Sequence, residues 1–434
     1  MNKKYFLTSI LILTLSLTFA APAFNSYAGA SLEVVPNEER GIALNANGVF
    51  VGQYSLDNSF TLKGNFNVKT EDIINGGLFQ DTLAYFTIKE LSATYRFIAE
   101  NLNQQASIFI GKFESFGSDA FIKKYFGSNN FTSPILLPDL DLDTVGIYDF
   151  SGVGLAYSIK LASPKAFGVY LYYNKEKSEK NSTILEEDST TSEDTTENTN
   201  EETESTETNK KPKVLGKING DLRFSAAWDS LILDVDFGIT LPIETEDDAG
   251  NEVLVLIRRA DFHAGVSMLL GNNPITNLFL QVGILKLQAK PMPDTQILSL
   301  SDIYLYMEPR FTTEFLKCNV AFFCLPKTAL KNLKYIKNPI GCNLTFASQP
   351  LIILNQNGDF GCHFTVSSSS NLSSINLNSF DFQISPYLNL YMFGGTVDLS
   401  STIYPLKIKD FDEFISVSLG YKAYLWWKRM FFHL

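Results

Sequence analysis

Histidine is nearly missing, with three in 434 residues, so a histidine-rich metal centre is not expected. Cysteine is confined to Cys318, Cys324, Cys342 and Cys362. No CxxC or Cys/His spacing suggests a metal module. Basic residues are outnumbered by acidic ones, 35 against 47, for a formal charge of −12. A nucleic-acid binder needs a basic stripe to displace counterions, so that class is disfavoured. The GxSxG signature of serine hydrolases is absent. His263 stands near Ser267, and His363 near several Ser and Asn residues, yet a nucleophile and its base must sit within hydrogen-bond reach. Nothing local establishes that reach, so neither an enzyme nor a cofactor is expected. Beyond residue 28 no run approaches the ~20 apolar residues that a membrane helix requires.

Before that point there is one apolar run. Lys3 and Lys4 precede Tyr5–Phe19, small residues follow at Ala20-Ala21, and Ser26-Tyr27-Ala28 fits a small-x-small cleavage site. Residues 1–28 therefore read as a secretory signal peptide, with Gly29 as the mature start. No Cys follows the run, which argues against a lipoprotein-type start. An exported chain permits disulfides. Cys342 and Cys362 fall on strands expected to be hairpin neighbours and form the best-placed pair; free thiols are equally compatible with the spacing.

Aromatics are plentiful, 35 Phe and 19 Tyr, and the apolar residues recur at period two. From Phe60 to Lys69 one face carries Phe60, Leu62, Gly64, Phe66 and Val68; the other carries Thr61, Lys63, Asn65, Asn67 and Lys69. Such alternation marks a strand with one apolar and one polar face. It recurs at Leu231–Thr240, Asp261–Met268 and Ile415–Ala423. Runs of about ten residues match the ~9–11 that a tilted transmembrane strand needs. Connections alternate between short and long along the chain, which in a meander places all tight turns at one end. Asn357-Gly358 is read as a two-residue hairpin turn. The expected fold is all-β, a transmembrane antiparallel up-and-down barrel of about 16 strands, within a range of 14 to 18. It spans Phe60–Leu425, preceded by Gly29–Ser59 as an inner plug or an extra strand and followed by a tail, Trp426–Leu434. A soluble sandwich would also alternate but lacks reason for the loop asymmetry.

The connection Asn174–Lys213 contains Asn181–Thr208, with ten carboxylates, nine Thr, four Ser and no Lys or Arg. It cannot bury enough surface to offset its ordering entropy and reads as a disordered extracellular loop. Glu114–Ser151 is long and more apolar. Ser118 or Asp119 can cap a short helix ended by Gly127, with Phe121, Ile122, Tyr125 and Phe126 on one face and Lys123 and Lys124 on the other. Beyond it Asp139, Asp141 and Asp143 alternate with leucines. Folded into the lumen, this segment would narrow the pore, with Asp139, Asp141, Asp143, Lys123 and Lys124 as constriction residues; packed over the outer mouth, it would not. Asp234, Asp236, Asp261, His263, Lys286, His363 and Lys422 alternate with apolar neighbours and are expected to face the lumen. Tyr170-Tyr172-Tyr173, Tyr304-Tyr306 and Trp426-Trp427 suit the aromatic girdles at a membrane's two interfaces.

Ile108-Phe-Ile-Gly-Lys-Phe113, Ile303–Phe311, Ile384–Tyr391 and Ser416–Tyr424 resemble segments of the porin-like outer-membrane β-barrel proteins of double-membrane bacteria, spirochaetes included. The resemblance covers nearly the whole mature chain and is generic in each segment. It implies insertion into outer-membrane lipid by the barrel-assembly machinery and passive diffusion of small solutes; trimers are common among such porins, which makes a homotrimer one expected assembly. The leading expectation is a porin for small hydrophilic solutes, cation-preferring if Asp139, Asp141 and Asp143 line a constriction. A channel for hydrophobic compounds and an adhesive surface protein are the rival expectations.

Overall fold

The structure, a computed structural model, describes residues 23–37, 41–56, 59–76, 84–99, 102–128, 131–138, 140, 143–175, 214–246, 252–256, 260–271, 275–288, 302–330, 333–353, 355–369, 380–409 and 414–427. Its strands are β1 (Ala23–Asn37), β2 (Gly41–Ser55), β3 (Phe60–Thr70), β4 (Ala84–Ala99), β5 (Leu102–Phe116), β6 (Tyr148–Lys160), β7 (Lys165–Asn174), β8 (Val214–Ala227), β9 (Leu231–Glu246) and β10 (Glu252–Leu256). They continue as β11 (Asp261–Leu270), β12 (Thr276–Gln288), β13 (Ile303–Thr312), β14 (Leu316–Cys324), β15 (Ile340–Ser348), β16 (Leu351–Ile353), β17 (Gln356–Ser368), β18 (Phe380–Met392), β19 (Gly395–Ile403) and β20 (Ile415–Trp427). Three short helices join them: α1 (Ile73–Gly76), α2 (Asp119–Phe126) and α3 (Lys327–Leu330).

Each strand pairs antiparallel with its neighbour, and β20 returns to β1 from Phe24↔Trp427 to Val34↔Val417. The sheet is closed, with 18 staves. β16 prolongs the stave of β15 past Pro350, and β10 stands outside, paired only with the end of β9 while β11 takes over the ladder. The count sits at the top of the expected range because Gly29–Ser59 is no plug: it lies in β1 and β2 and the turn behind them, and so builds wall.

β7 shows why these residues make staves. Ala166, Gly168, Tyr170 and Tyr172 are buried, and Phe167, Val169, Leu171 and Tyr173 are exposed in strict alternation. The exposed set is what hydrocarbon accepts, as with Leu62, Ile108, Leu155, Leu222, Phe237 and Leu419 on other staves. Connections of two to five residues gather at one end together with the first and last described residues. Those at the other end run from 11 to 39 residues, apart from 38–40.

Several local expectations are corrected. Asn357-Gly358 lies within β17; the chain reverses before it, where Ile353 pairs with Gln356 and Asn355 takes φ 63°. Cys342 pairs with Val366 and Cys362 with Phe346, four rungs apart on neighbouring staves, which places them ~13 Å apart along the strand and bars a bridge. All four cysteines are free thiols. Tyr170, Tyr172, Tyr304 and Tyr306 are buried inside the barrel; of those expected in girdles, Tyr173 points outward. The side chains of Trp426 and Trp427, residues 428–434 and the acidic stretch 181–208 lie outside the described residues.

Two β-bulges fall near one height of the wall. On β4 the pairing steps from Asn65↔Glu90 to Phe66↔Ile88, leaving Lys89 as the extra residue. On β5 it steps from Lys112↔Ser151 to Glu114↔Phe150 around Phe113. A bulge re-aims a side chain that strict alternation would send outward. Gly111, at φ 91°, faces the first bulge, and a Cβ there would overlap the Lys89 carbonyl. Gly111→Ala is therefore expected to cost about 1–2 kcal/mol from the backbone conformation alone, read as a lower urea midpoint of the micelle-refolded barrel.

β1 begins at Ala23, inside the segment expected to be removed, and cleavage after Ala28 would strip β20 of its partners from Trp427 to Ala423. Ala21-Pro22-Ala23 is a second small-x-small site that spares the seam. We propose Phe24 as the mature first residue; N-terminal sequencing of the membrane-extracted protein checks it, and Gly29 would be the contrary result.

Candidate functional site

The connection between β5 and β6 enters the barrel. α2 follows Ser118, whose side chain bonds back to the Ser115 carbonyl at 2.8 Å and leaves the helix without a side-chain cap. Gly127 closes it in the left-handed conformation at φ 70°. Phe121, Ile122 and Tyr125 are buried, while Lys123 pairs with Asp119 and Lys124 lies 3.3 Å from Glu114. Farther on, Phe131, Ile135, Leu136 and Leu140 are buried, and Tyr27 of β1 donates to the Leu140 carbonyl at 2.9 Å. The segment thus reaches from β5 across to β1. Between β14 and β15 a second inward segment carries α3, Leu333, Tyr335 and Ile336, with Lys334 2.7 Å from Asp398 of β19.

Buried polar groups hold the first segment in place. Asp119 accepts from the Thr144 backbone at 3.0 Å and from Thr132 and Lys123, tying both ends of the segment together. Gln281 of β12 donates to the Gly117 carbonyl at 2.6 Å and accepts from Tyr304 at 2.9 Å. Ser133 bonds Tyr306 and Glu308 of β13, and Arg310 lies 2.8 Å from Glu308. On β8 Arg223 makes a two-point contact with Asp234, at 3.0 and 2.7 Å, and stacks 4.0 Å from the Phe121 ring. Burial opposes the charge on Asp119, but the bonds from Lys123, Thr132 and Thr144 prevail and hold its carboxyl below the ordinary value. Burial likewise opposes the Lys124 ammonium, and Glu114 beside it holds it above its ordinary value.

The half of the lumen bounded by β1–β5, β19 and β20 holds polar space that chain does not fill. Cavities of about 390 and 350 Å³ meet at Lys89. Their described lining carries eight Lys or Arg side chains against five carboxylates. Lys63, Lys89, Arg96 and Lys112 belong to the wall, whereas Asp143 faces them from the inward segment and acts on Lys63 electrostatically. The extra residues of both bulges, Lys89 and Phe113, thus line this space. A larger concavity of about 980 Å³ lies on the outer, apolar face between β2 and β8 and is no part of the passage.

Asp234, Asp236, His263 and His363 point inward and are buried. Asp261 shares their face and lies 3.7 Å from Lys286, and Lys422 shares a face with Ser416 and Ser418. Of the expected constriction, Asp143 lines the passage and Lys124 does so beside Glu114. Lys123 is drawn away to Asp119. Asp139 and Asp141 lie outside the described residues. His263 meets Asp221, not Ser267, and His363 bonds Thr345 at 2.8 Å, so neither pairs with a serine as a base would. Asp221, Arg223, Glu308 and Arg310 were missed, although each carries the same signal, a charge alternating with apolar neighbours.

No protein-family model and no curated protein matches the chain. Among solved structures it is similar to Pseudomonas aeruginosa OccK5 (OpdH), with TM-score 0.51 and 9% identity over 93% of this chain and 98% of that one. It also aligns with a Rh. blastica porin variant (TM-score 0.36, 9% identity, 93% and 100% covered) and Salmonella typhi OmpF complexed with daunomycin (0.37, 10%, 93% and 97%). The fold is that of a porin-like outer-membrane β-barrel.

Asp119→Ala is expected to loosen the inward segment by roughly 2–3 kcal/mol, the scale of a buried bond to a charged group, seen as protease cleavage within 117–147 while the barrel stays intact. The wild-type carboxyl titrates below its ordinary value, so its contribution is whole above ~pH 4 and is lost as pH falls through the folded value. Protease sensitivity should therefore appear in wild type only below about pH 4.

Proposed function

We propose that the protein is an outer-membrane channel through which small hydrophilic solutes diffuse. The charged passage between the β1–β5 wall and the inward segment carries this reading. Eighteen staves enclose more space than side chains can fill, and here one half is occupied by chain while the other remains polar. A fatty-acid-type channel plugged by Gly29–Ser59 has lost its plug to the wall.

Selectivity follows the lining. The cation preference rested on Asp139, Asp141 and Asp143; the described lining is instead richer in bases, with Lys63, Lys89, Arg96 and Lys112 on one side. We read the passage as weakly anion-preferring, with a field running across it from wall to Asp143 that orients dipolar solutes. The long connections face outside, insertion is by the barrel-assembly machinery, and the concave apolar face between β2 and β8 is the surface on which further copies would pack as a homotrimer.

Single-channel recording of the refolded protein in a planar bilayer under a salt gradient tests this. Discrete openings with an anion-directed reversal potential are expected. Lys89→Gln should shift that potential toward cations, and Asp143→Asn should move it the other way. An inserted but silent barrel would sink the channel reading, and a cation-directed potential in wild type would sink the selectivity.

A further inference from the structure

Beneath the base of the inward segment, β8, β9 and β11 bring Asp221, Asp236 and His263 together on the inner wall. Their donor atoms, one oxygen from each carboxylate and a ring nitrogen, lie within 4.8 Å of one another, and all three residues are buried. Gly238 makes the meeting feasible. It is the register partner of Asp221 on one side and His263 on the other, and a Cβ there would overlap both Asp221 Oδ1 and His263 Nε2. With no side chain on the middle strand, groups two strands apart touch.

The nearest cations make their direct contacts with other carboxylates, although the Arg223 charge also reaches Asp236. Arg223 answers Asp234 at 2.7 Å, and Lys124 answers Glu114 at 3.3 Å. Asp221 and Asp236 remain as two buried carboxylates with one imidazole in contact and Tyr172 beside Asp221. Tyr148 donates to Asp236 Oδ1, and His263 Nε2 contacts Asp221 Oδ1. Among the described residues, Asp221 Oδ2 and Asp236 Oδ2 find no hydrogen-bond partner although both atoms are buried. Unpartnered carboxylate oxygens in a dry site are costly unless a cation meets them.

We infer that Asp221, Asp236 and His263 bind one divalent transition-metal ion of the Zn²⁺ or Mn²⁺ class. One imidazole nitrogen with two carboxylates suits these ions, whereas Ca²⁺ and Mg²⁺ favour oxygen alone. On binding, the metal replaces the proton held between His263 Nε2 and Asp221 Oδ1, which leaves for solvent, and two carboxylate charges balance the dication. Tyr148, bonded to Asp236 at the point where the inward segment rejoins β6, is the outer-shell group that couples the metal to that segment. The ion would pin the segment's return.

The test uses the full mature chain refolded from denaturant into micelles, with chelator or with one equivalent of Zn²⁺ or Co²⁺, because burial bars exchange into the finished barrel. The expected result is one retained ion per chain by elemental analysis, visible ligand-field absorption with Co²⁺, and several-fold slower proteolysis within 117–147. His263→Gln and Asp236→Asn keep a hydrogen-bonding group at each position, and heat-modifiable gel mobility confirms that they fold. Each should lose the ion and the absorption. Wild type that retains no metal overturns the inference; so does retention undiminished in both variants, which would locate the ion elsewhere, such as the carboxylates of 181–208.

Discussion

The seam between β1 and β20 is the contact on which the rest depends. Hydrocarbon offers no water to an unpaired amide, so a sheet can cross a membrane only if its last strand finds its first. Here Phe24–Val34 meets Val417–Trp427, and every other stave inherits two satisfied edges from that closure. Closure also fixes what each face must be. Phe167, Val169 and Leu171 look outward into lipid while Ala166, Gly168 and Tyr170 look inward, because a strand offers no third direction.

A ring of 18 staves creates a space that no set of wall side chains can fill, and chain is spent to fill part of it. The segment between β5 and β6 brings its own apolar core, Phe131, Ile135 and Leu136, but its position is set by polar groups. Asp119 with Thr132 and Thr144, Ser133 with Glu308, and Gln281 with the Gly117 carbonyl meet in one arrangement and would be left buried and unpaired in others. Such pairs add little net stability; what they supply is register. Two bulges, at Lys89 and Phe113, interrupt the ladder on neighbouring staves that face the segment.

Much of this was legible in the chain. Period-two alternation and the inequality of successive loops marked a membrane barrel, and Gly127 with the apolar face of Phe121, Ile122 and Tyr125 marked α2. Less legible were features that depend on which strand lies beside which. Cys342 and Cys362 looked like a pair until the register set them four rungs apart. Tyr170, Tyr304 and Tyr306 looked like girdle residues, yet their hydroxyls serve Glu114, Gln281 and Glu308 inside the lumen.

By itself, then, the sequence marked the alternating strands from Phe60 onward, their two faces and the gathering of long connections at one end, because alternation and turn chemistry are local and survive without knowledge of neighbours. Tertiary structure alone decided the stave count, the inward course of 117–147 and the basic wall of the passage. It alone brought Asp221 to His263 across Gly238. Those outcomes depend on closure and register, in which residues tens to hundreds of positions apart must meet, and no local pattern records which ones do.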